Sequence, residues 1–175
     1  MKKFIIILSL SLLFLQGCDS KKKEEAIARV QQVECEYADL IFTLNGLWEM
    51  EETEVSEDTS KVELFTTNQE TGSNILVYAN KMDEEKGEQL IRLDDYIEAV
   101  RNTLYASEDQ LYTLSEVEES ILYGKEMKSF QASTGENFTR QQYYIYPLND
   151  HLITMVITSY GEDSLESLLK LGADK

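Results

Sequence analysis

The two thiols are the most reactive side-chain groups in this 175-residue chain. A thiolate can be alkylated or oxidised, or it can join a second cysteine in a disulfide. Cys18 and Cys35 could pair in this way, because the count allows it. Cys35, however, lies between Glu34 and Glu36, whose negative charges would raise the pKa of its thiol. We therefore expect Cys35 to be inert and Cys18 to be the reactive position.

Three features precede the Cys18 thiol in order. Residues 1–3 form a short positive segment, and residues 4–15 are apolar except for two serines. This apolar run is shorter than the roughly 20 residues that a permanent membrane helix needs, but it suits the core of a signal peptide. Leu15-Gln16-Gly17-Cys18 comes next and resembles the lipobox of bacterial lipoproteins. The alternative is an ordinary secretory signal followed by a chance cysteine.

The lipobox resemblance implies cleavage before Cys18 and a diacylglyceryl group on its sulfur. Two acyl chains anchor a protein stably, because each buried methylene contributes about 0.8 kcal/mol. The resemblance predicts a signal peptide over 1–17, a lipidated tether over 18–24 and a single domain over 25–175. The expected location is a bacterial cell membrane, with the domain facing away from the cytoplasm. In enteric-type envelopes Asp19 would resemble a signal for retention at the inner membrane.

The charge of the chain is strongly negative. It contains 33 acidic and 16 basic residues, which gives a net charge of −17. Such a surface repels nucleic acid, so we expect no nucleic-acid partner. It is most often a plain solvated surface, but it also favours a basic protein partner. Lys21, Lys22 and Lys23 are an exception to the acidity and could lie against anionic lipid, at about 1 kcal/mol each.

Evidence for a catalytic or metal site is weak. His151 is the only histidine, and it follows Asp150 in a predicted turn, where we expect it to be exposed. A lone histidine without a Cys-x-x-Cys or His-x-x-x-His spacing does not indicate a zinc site, so we expect no metal and no cofactor. Several acidic pairs occur along the chain: Glu51-Glu52, Asp83-Glu84-Glu85, Asp94-Asp95 and Glu118-Glu119. Among so many carboxylates, adjacent pairs are expected by chance.

Aromatic side chains are the remaining candidates for a binding surface. The ten tyrosines and Trp48 could line a ligand cleft or a protein interface. At strand spacing, however, tyrosines are more often half-buried residues of a sheet. One predicted strand places Tyr144 and Tyr146 on one face, and Tyr143 and Ile145 on the other.

Apolar residues at helical spacing predict three helices. The first begins near Glu24 and could fade into a strand near Cys35. The second covers residues 94–106, with Asp94 or Asp95 as its N-terminal cap. The third follows residues 161–164. The apolar faces are Ile27, Val30 and Val33; Leu93, Tyr96, Ile97, Val100 and Leu104; Leu165, Leu168 and Leu169.

Alternating and β-branched runs predict strands over most of the rest of the chain. Asn45-Gly46 predicts a turn, and Pro147–Asp150 predicts another. Residues 121–133 could form one strand that continues through Gly124. The other predicted strands are 40–44, 47–50, 62–67, 75–82, 111–117, 138–146 and 151–160. Strands grouped in hairpins with helices between them indicate an α+β fold, an antiparallel sheet with helices packed on its faces.

This order of elements resembles the PsbP-like, or DcrB-like, fold, an α/β/α sandwich. Asn45-Gly46-Leu47-Trp48 resembles the family's proline-glycine-tryptophan turn without the proline, and the helix with Leu93, Tyr96 and Ile97 resembles its leucine-and-tyrosine helix. The strands 138–146 and 151–160 are similar to its final hairpin. The resemblance covers residues 40–172. It implies a binding or accessory module, because the family contributes no catalytic residues to transfer.

Three hypotheses about function follow. The first is a non-enzymatic, lipid-anchored binding or accessory module of the bacterial envelope, and a subclass of it is an immunity-type protein that neutralises a basic toxin. The second is an envelope hydrolase that uses clustered carboxylates with raised pKa values. The third is a small-ligand carrier with an apolar pocket beside Trp48.

Overall fold

Antiparallel strands make up most of the domain. The computed structural model describes residues 21–52, 60–82, 92–107, 112–134, 140–160 and 163–175. Within these ranges the strands are β1 (Val30–Cys35), β2 (Leu40–Asn45), β3 (Trp48–Met50), β4 (Ser60–Asn68), β5 (Asn74–Lys81), β6 (Tyr112–Leu114), β7 (Glu118–Leu122), β8 (Lys125–Thr134), β9 (Arg140–Leu148), β10 (His151–Ser159) and β11 (Gly172–Asp174). The helices are α1 (21–28), α2 (Leu93–Tyr105) and α3 (Leu165–Leu169).

The strands form two antiparallel sheets. The large sheet has eight strands in the order β3-β4-β5-β10-β9-β8-β6, and β7 also pairs with β8. The small sheet has the order β1-β2-β11. The turn at Asn45-Gly46 is confirmed, but it carries the chain from the small sheet to the large one and does not close a hairpin. The predicted α+β class, with hairpin strands and helices packed on the sheet, is confirmed.

Alternation along the strands divides the buried side chains between the two faces of the large sheet. The small sheet and α3 cover one face, where the core includes Phe42, Leu44, Val77, Tyr144, Tyr146, Met155 and Leu168. Helix α2 covers the other face, where the core is Ile97, Phe130, Ala132, Tyr143, Ile145 and Val156. The predicted division of the tyrosines of β9 between two faces is therefore confirmed. The layers are the small sheet with α3, the large sheet, and α2.

The prediction for the first helix is only partly correct. Residues 21–28 are helical, but Val30 and Val33 lie in β1, which pairs with β2. In β1 only Val33 and Cys35 leave the surface, and their spacing of two is that of a strand. Edge pairing in the small sheet therefore overrides the apolar spacing that suggested a helix.

The prediction of one strand across 121–133 is wrong. Tyr123 and Gly124 form a tight turn, with φ values of 53° and 74°, so β7 folds back on β8. Positive φ at both central residues is what a two-residue hairpin turn requires, and glycine adopts it without strain. The strand that was expected to continue is therefore a hairpin.

Three boundaries also differ from the prediction. Helix α2 is capped by Arg92 without a side-chain hydrogen bond, so Asp94 and Asp95 are not caps and lie in the first turn. There their negative charges interact favourably with the positive end of the helix dipole. Pro147 belongs to β9, and the turn is confined to Asn149 and Asp150.

Strand β11 was not predicted. Its pairing with β2 brings the C-terminal end of the chain against the small sheet. A Cβ atom on Gly172 would lie 2.5 Å from the Tyr123 hydroxyl, which in turn donates to the carbonyl of Leu169. Glycine is therefore needed for this close approach. Among the described residues, no helix has both the length and the apolarity to cross a membrane.

Candidate functional site

Neither thiol forms a reactive centre among the described residues. Cys18 and its lipobox lie outside those residues, so the lipid attachment at Cys18 stays a prediction. Cys35 is a free, fully buried thiol. Burial, and then the charge of Glu63, raise its pKa to about 12. The expectation of an inert thiol agrees with this, but the cause is burial and Glu63, since Glu34 instead pairs with Lys175.

His151 lies in a cleft and is not exposed as the sequence suggested. Only 14% of its side chain is accessible, because its ring packs against Tyr37 with 4.6 Å between ring centroids. Its Nδ1 lies 2.7 Å from Oδ1 of Asp150. This close contact between the imidazole and the carboxylate leaves Nε2 as the ring nitrogen that faces other groups.

The cleft has a volume of about 430 Å³ and opens where the turn after β1 meets the ends of β4, β5 and β10. We call it the cationic cleft, and its defining residues are Tyr37, Lys61, Ala79, Lys81, Asp150 and His151.

Strand register places the basic residues of the cleft on one face. His151 is the cross-strand partner of Lys81, and Lys61 is the partner of Ala79. Because side chains two residues apart share a face, Ala79 and Lys81 belong to the face that the small sheet covers. The ammonium nitrogen of Lys61 lies 4.5 Å from the ring centroid of Tyr37, a cation–π distance.

A bulge in β4 fixes the turn that carries Tyr37. The register between β4 and β5 shifts between Val62 and Leu64, which leaves Glu63 as the extra residue. Its carboxylate accepts the backbone N–H groups of Tyr37 and Ala38, both at 2.8 Å. The turn is thereby tied to the large sheet at a charged, two-point acceptor.

A second contact from the large sheet holds the same turn. The buried hydroxyl of Tyr146 donates to the carbonyl of Ala38 at 2.6 Å. The turn is thus held through both kinds of backbone group, because Glu63 accepts its N–H groups and Tyr146 donates to its carbonyl. The Tyr37 ring is therefore presented to the cationic cleft by a fixed turn.

The cleft does not contain a serine–histidine–aspartate triad. Ser60 also lines it, but the Ser60 hydroxyl donates to the side-chain oxygen of Asn80. Asn80 in turn donates to the Tyr96 hydroxyl of α2 at 2.5 Å. The Ser60 hydroxyl therefore lies on the α2 side of the sheet, whereas His151 lies on the opposite face. The cleft can supply cationic donors beside aromatic rings, but this serine cannot meet the imidazole as a nucleophile needs to.

The carboxylate pairs give no support to the hydrolase hypothesis. Glu51-Glu52, Asp94-Asp95 and Glu118-Glu119 are exposed, and they lie on different elements. Asp83–Glu85 lies outside the described residues. The pKa of Glu166 is lowered by its hydrogen bond to Lys170, which is the opposite of what a general acid needs.

Trp48 and the metal-ligating residue types provide no alternative site. The Trp48 ring is 5% exposed and packs in the core beneath the small sheet, so it is not presented to a ligand as the carrier hypothesis requires. Among the described residues, no group of three or more histidine, cysteine or acidic side chains could hold a metal ion.

Sequence reasoning missed most of the cationic cleft. It singled out His151, but it gave no reason to choose Tyr37, Lys61 or Lys81. These residues meet only through the pairing of β4, β5 and β10 and the tie to Glu63. A single sequence carries no local signal of that meeting.

Comparison with known proteins agrees with the fold. No protein-family model matches the chain, and no curated protein matches it significantly. The chain is similar to the solution structure of cyanobacterial PsbP (CyanoP) from Synechocystis sp. PCC 6803, with a TM-score of 0.57. The similarity covers 85% of this chain and 94% of that chain at 14% identity. The domain therefore has a PsbP-like fold.

Proposed function

We propose that this chain is a lipid-anchored protein of the bacterial cell envelope whose domain binds a partner or ligand and does no catalysis. The observation that carries the binding role is the cationic cleft, where oriented charged groups surround an open volume. The Ser60 hydroxyl lies on the other face of the sheet from His151, and the Cys35 thiol is buried with a raised pKa. The groups that line the cleft are thus suited to holding a molecule.

The anchor is proposed to be a diacylglyceryl group on Cys18. The order of positive segment, apolar run and Leu15-Gln16-Gly17-Cys18 supports it. Helix α1 then leads into the domain, where its Ala26 carbonyl accepts the N–H of Gly46 at 2.9 Å. This contact, together with the ion pair between Lys23 and Glu70 at 2.7 Å, ties the start of the domain to the large sheet.

A basic protein partner would bind at the acidic edge, which we define as residues 116–122 around β7. Strand β7 pairs only with β8 among the described strands. Val117 and Ile121 are exposed there, Ile121 by 77%, between the carboxylates of Glu116, Glu118 and Glu119. An extended basic segment could pair with this strand, because its backbone groups would find partners and its charges would be complementary.

Metabolic labelling with an alkyne-bearing fatty acid tests the anchor. The full chain should incorporate the label and fractionate with membranes. Cys18→Ala should lose both properties, whereas the matched variant Cys35→Ala should keep them, since that thiol is buried. Recovery of unlabelled wild-type chain in the medium would refute the lipid-anchored role.

Photo-crosslinking in intact cells tests the partner surface. A photoreactive residue at Ile121 should capture a basic protein, and the yield should fall as salt rises, because charge steers the encounter. The matched control is Tyr105 of α2, which is also exposed and apolar and lies outside the acidic edge. Equal capture at both positions would count against the acidic edge.

A further inference from the structure

We infer that the cationic cleft is a binding site for a small organic anion, one with a carboxylate or phosphate group beside a planar or apolar part. The inference deepens the proposed binding role and rests on it, but it does not depend on lipid at Cys18. It assigns Lys61 and Lys81 to the anionic group and the rings of Tyr37 and His151 to the rest of the ligand.

Lys61 and Lys81 differ from five other described lysines in their ion pairing. Neither Lys61 nor Lys81 forms an ion pair with any carboxylate that the structure describes. Other described lysines do so, and the pairs are Lys23–Glu70, Lys125–Asp39 and Asp174, Lys128–Asp94 and Glu119, Lys170–Glu166, and Lys175–Glu34. Lys61 and Lys81 thus share one cleft without an ion pair to any described carboxylate, in a chain with twice as many acidic as basic residues.

The two described carboxylates nearest the cleft already have partners of their own. Asp150 holds Nδ1 of His151 at 2.7 Å, and Glu63 accepts the two N–H groups of the turn. Lys61 and Lys81 lie on the same face of paired strands, so each raises the electrostatic potential at the other. An anion between them would relieve that repulsion at close range.

The volume and the lining of the cleft also fit a small organic anion. Its volume of about 430 Å³ is within the range of small-molecule sites. Ala79 contributes a small apolar side chain, and Tyr37 and His151 contribute ring surfaces whose centroids are 4.6 Å apart. A bare inorganic ion would leave these surfaces unused. The arrangement thus favours an anion joined to a planar or apolar group.

The distance from the N-terminus argues for a small soluble ligand over a lipid headgroup. Strand β1 runs for six residues from the α1 end to the turn that carries Tyr37. At about 3.3 Å per residue this places the cleft about 20 Å along β1 from the end of α1, the helix that follows the proposed anchor.

A titration followed at the single histidine tests the inference. The full mature chain, purified from membranes in detergent and labelled with carbon-13 histidine, gives one histidine resonance, and that resonance comes from the cleft. Benzoate and phenyl phosphate are the probes, and neutral benzamide is the matched control ligand. At least one of the two anions should shift the resonance saturably with millimolar affinity, and benzamide should not.

Variants locate the site. Lys61→Gln and Lys81→Gln should each weaken anion binding by about fivefold, the effect of losing one partly exposed charge pair. Lys170→Gln, which removes an equal charge at the C-terminal end of α3, should leave binding unchanged. Emission from Trp48, the only tryptophan, checks that each variant is folded.

Several outcomes would overturn the inference. These are the absence of a saturable shift for both anions up to about 20 mM, an equal response to benzamide, and equal weakening by Lys170→Gln. A shift caused only by phospholipid vesicles with anionic headgroups would replace the soluble ligand with a lipid. If the purified chain lacked lipid on Cys18, the anchor proposal would fail, and the same titration without detergent would still decide the ligand.

Discussion

The two faces of the large sheet are covered in different ways. On one face a second sheet packs over the core, and polar contacts between residues far apart in sequence hold it there: Glu63 with the turn at Tyr37 and Ala38, and Tyr146 with Ala38. On the other face a single helix, α2, buries Ile97 against the sheet. A sheet can cover a face without sealing its end, and the cationic cleft lies at such an end.

The polar contacts on the helix-covered face are also of a different kind. The Tyr96 hydroxyl hydrogen-bonds to the side chains of Asn80 at 2.5 Å and Thr154 at 3.1 Å, so one helix residue satisfies polar groups on two strands. Burial is the main cause that raises the pKa of Tyr96. These contacts close the face and offer no charge to a ligand. The open, charged end of the molecule therefore belongs to the sheet-covered face.

The largest expected effect tests whether the small sheet is integral to the domain. Phe42→Ala should lower the free energy of unfolding by about 3–5 kcal/mol, because its ring, on the central strand of the small sheet, is fully buried in the core against the large sheet. Ile121→Ala, a residue 77% exposed, should change it by less than about 0.5 kcal/mol. Urea unfolding followed at Trp48 measures both. Equal, small effects would mean that the small sheet unfolds separately.

The helix-covered face was the more predictable one. The apolar residues around Ile97 recur with the period of a helix. Strands β9 and β10 are consecutive in the chain and pair with each other, so their pairing is local. The small sheet was not predictable, because β11 pairs with β2 across most of the chain. Such pairing leaves no local periodicity in three residues.

The candidate site was less predictable still. His151 could be noticed because it is the only histidine, but its burial depends on the ring of Tyr37. Tyr37 is in turn held by a hydrogen bond from its backbone N–H to Glu63, the bulge residue of β4. A bulge has no signature in this stretch of sequence. Cys18, by contrast, was assigned from local sequence alone, and its role stays a prediction.

Removing one hydroxyl from each face compares their polar contacts. Tyr146→Phe and Tyr96→Phe should each cost about 1–3 kcal/mol, because each leaves buried partners unsatisfied. Tyr105→Phe on the exposed side of α2 is the control and should be nearly neutral. Chemical denaturation at pH 7 measures all three. A neutral Tyr146→Phe would show that the tie at Ala38 does not stabilise the sheet-covered face.

Alkaline pH should weaken the sheet-covered face through Cys35. Burial raises the pKa of this thiol from 9.0 to about 12, so the folded state favours the protonated form. The resulting stabilisation is complete below pH 9 and is lost as pH rises from 9 towards 12. The loss from this group is at most about 1.4 kcal/mol per pH unit.

Cys35→Ala isolates that contribution. The free energy of unfolding, measured from pH 8 to pH 10, should fall less steeply in Cys35→Ala than in the wild type. Burial raises the pKa of Tyr146, the tyrosine whose pKa Cys35 also influences, above this range, so the difference between the two slopes reports the thiol. Parallel slopes would mean that the folded state does not hold the thiol protonated.

The smallest expected effects separate a lysine held by two carboxylates from the two lysines of the cationic cleft. Lys125 hydrogen-bonds to Asp174 and to Asp39, the latter at 3.1 Å, beside the turn that β1 enters. Burial lowers its pKa, but the hydrogen bonds to the two carboxylates outweigh burial and raise the pKa above the ordinary value. Lys125→Gln should therefore cost about 1 kcal/mol, since the carboxylates are half-exposed.

Lys81→Gln should change the free energy of unfolding by less than about 0.5 kcal/mol, because it loses no ion pair with a described carboxylate. Lys61→Gln should cost at most about 1 kcal/mol, the size of an exposed cation–π contact. Urea midpoints of the three variants in one buffer provide the measurement. Residues that bind a ligand without stabilising the fold are expected to behave in this way. Adding benzoate should therefore raise the wild-type midpoint but not that of Lys81→Gln, since ligand binding stabilises only a protein that binds it. A loss near 1 kcal/mol in Lys81→Gln without ligand would instead make this lysine part of the structure.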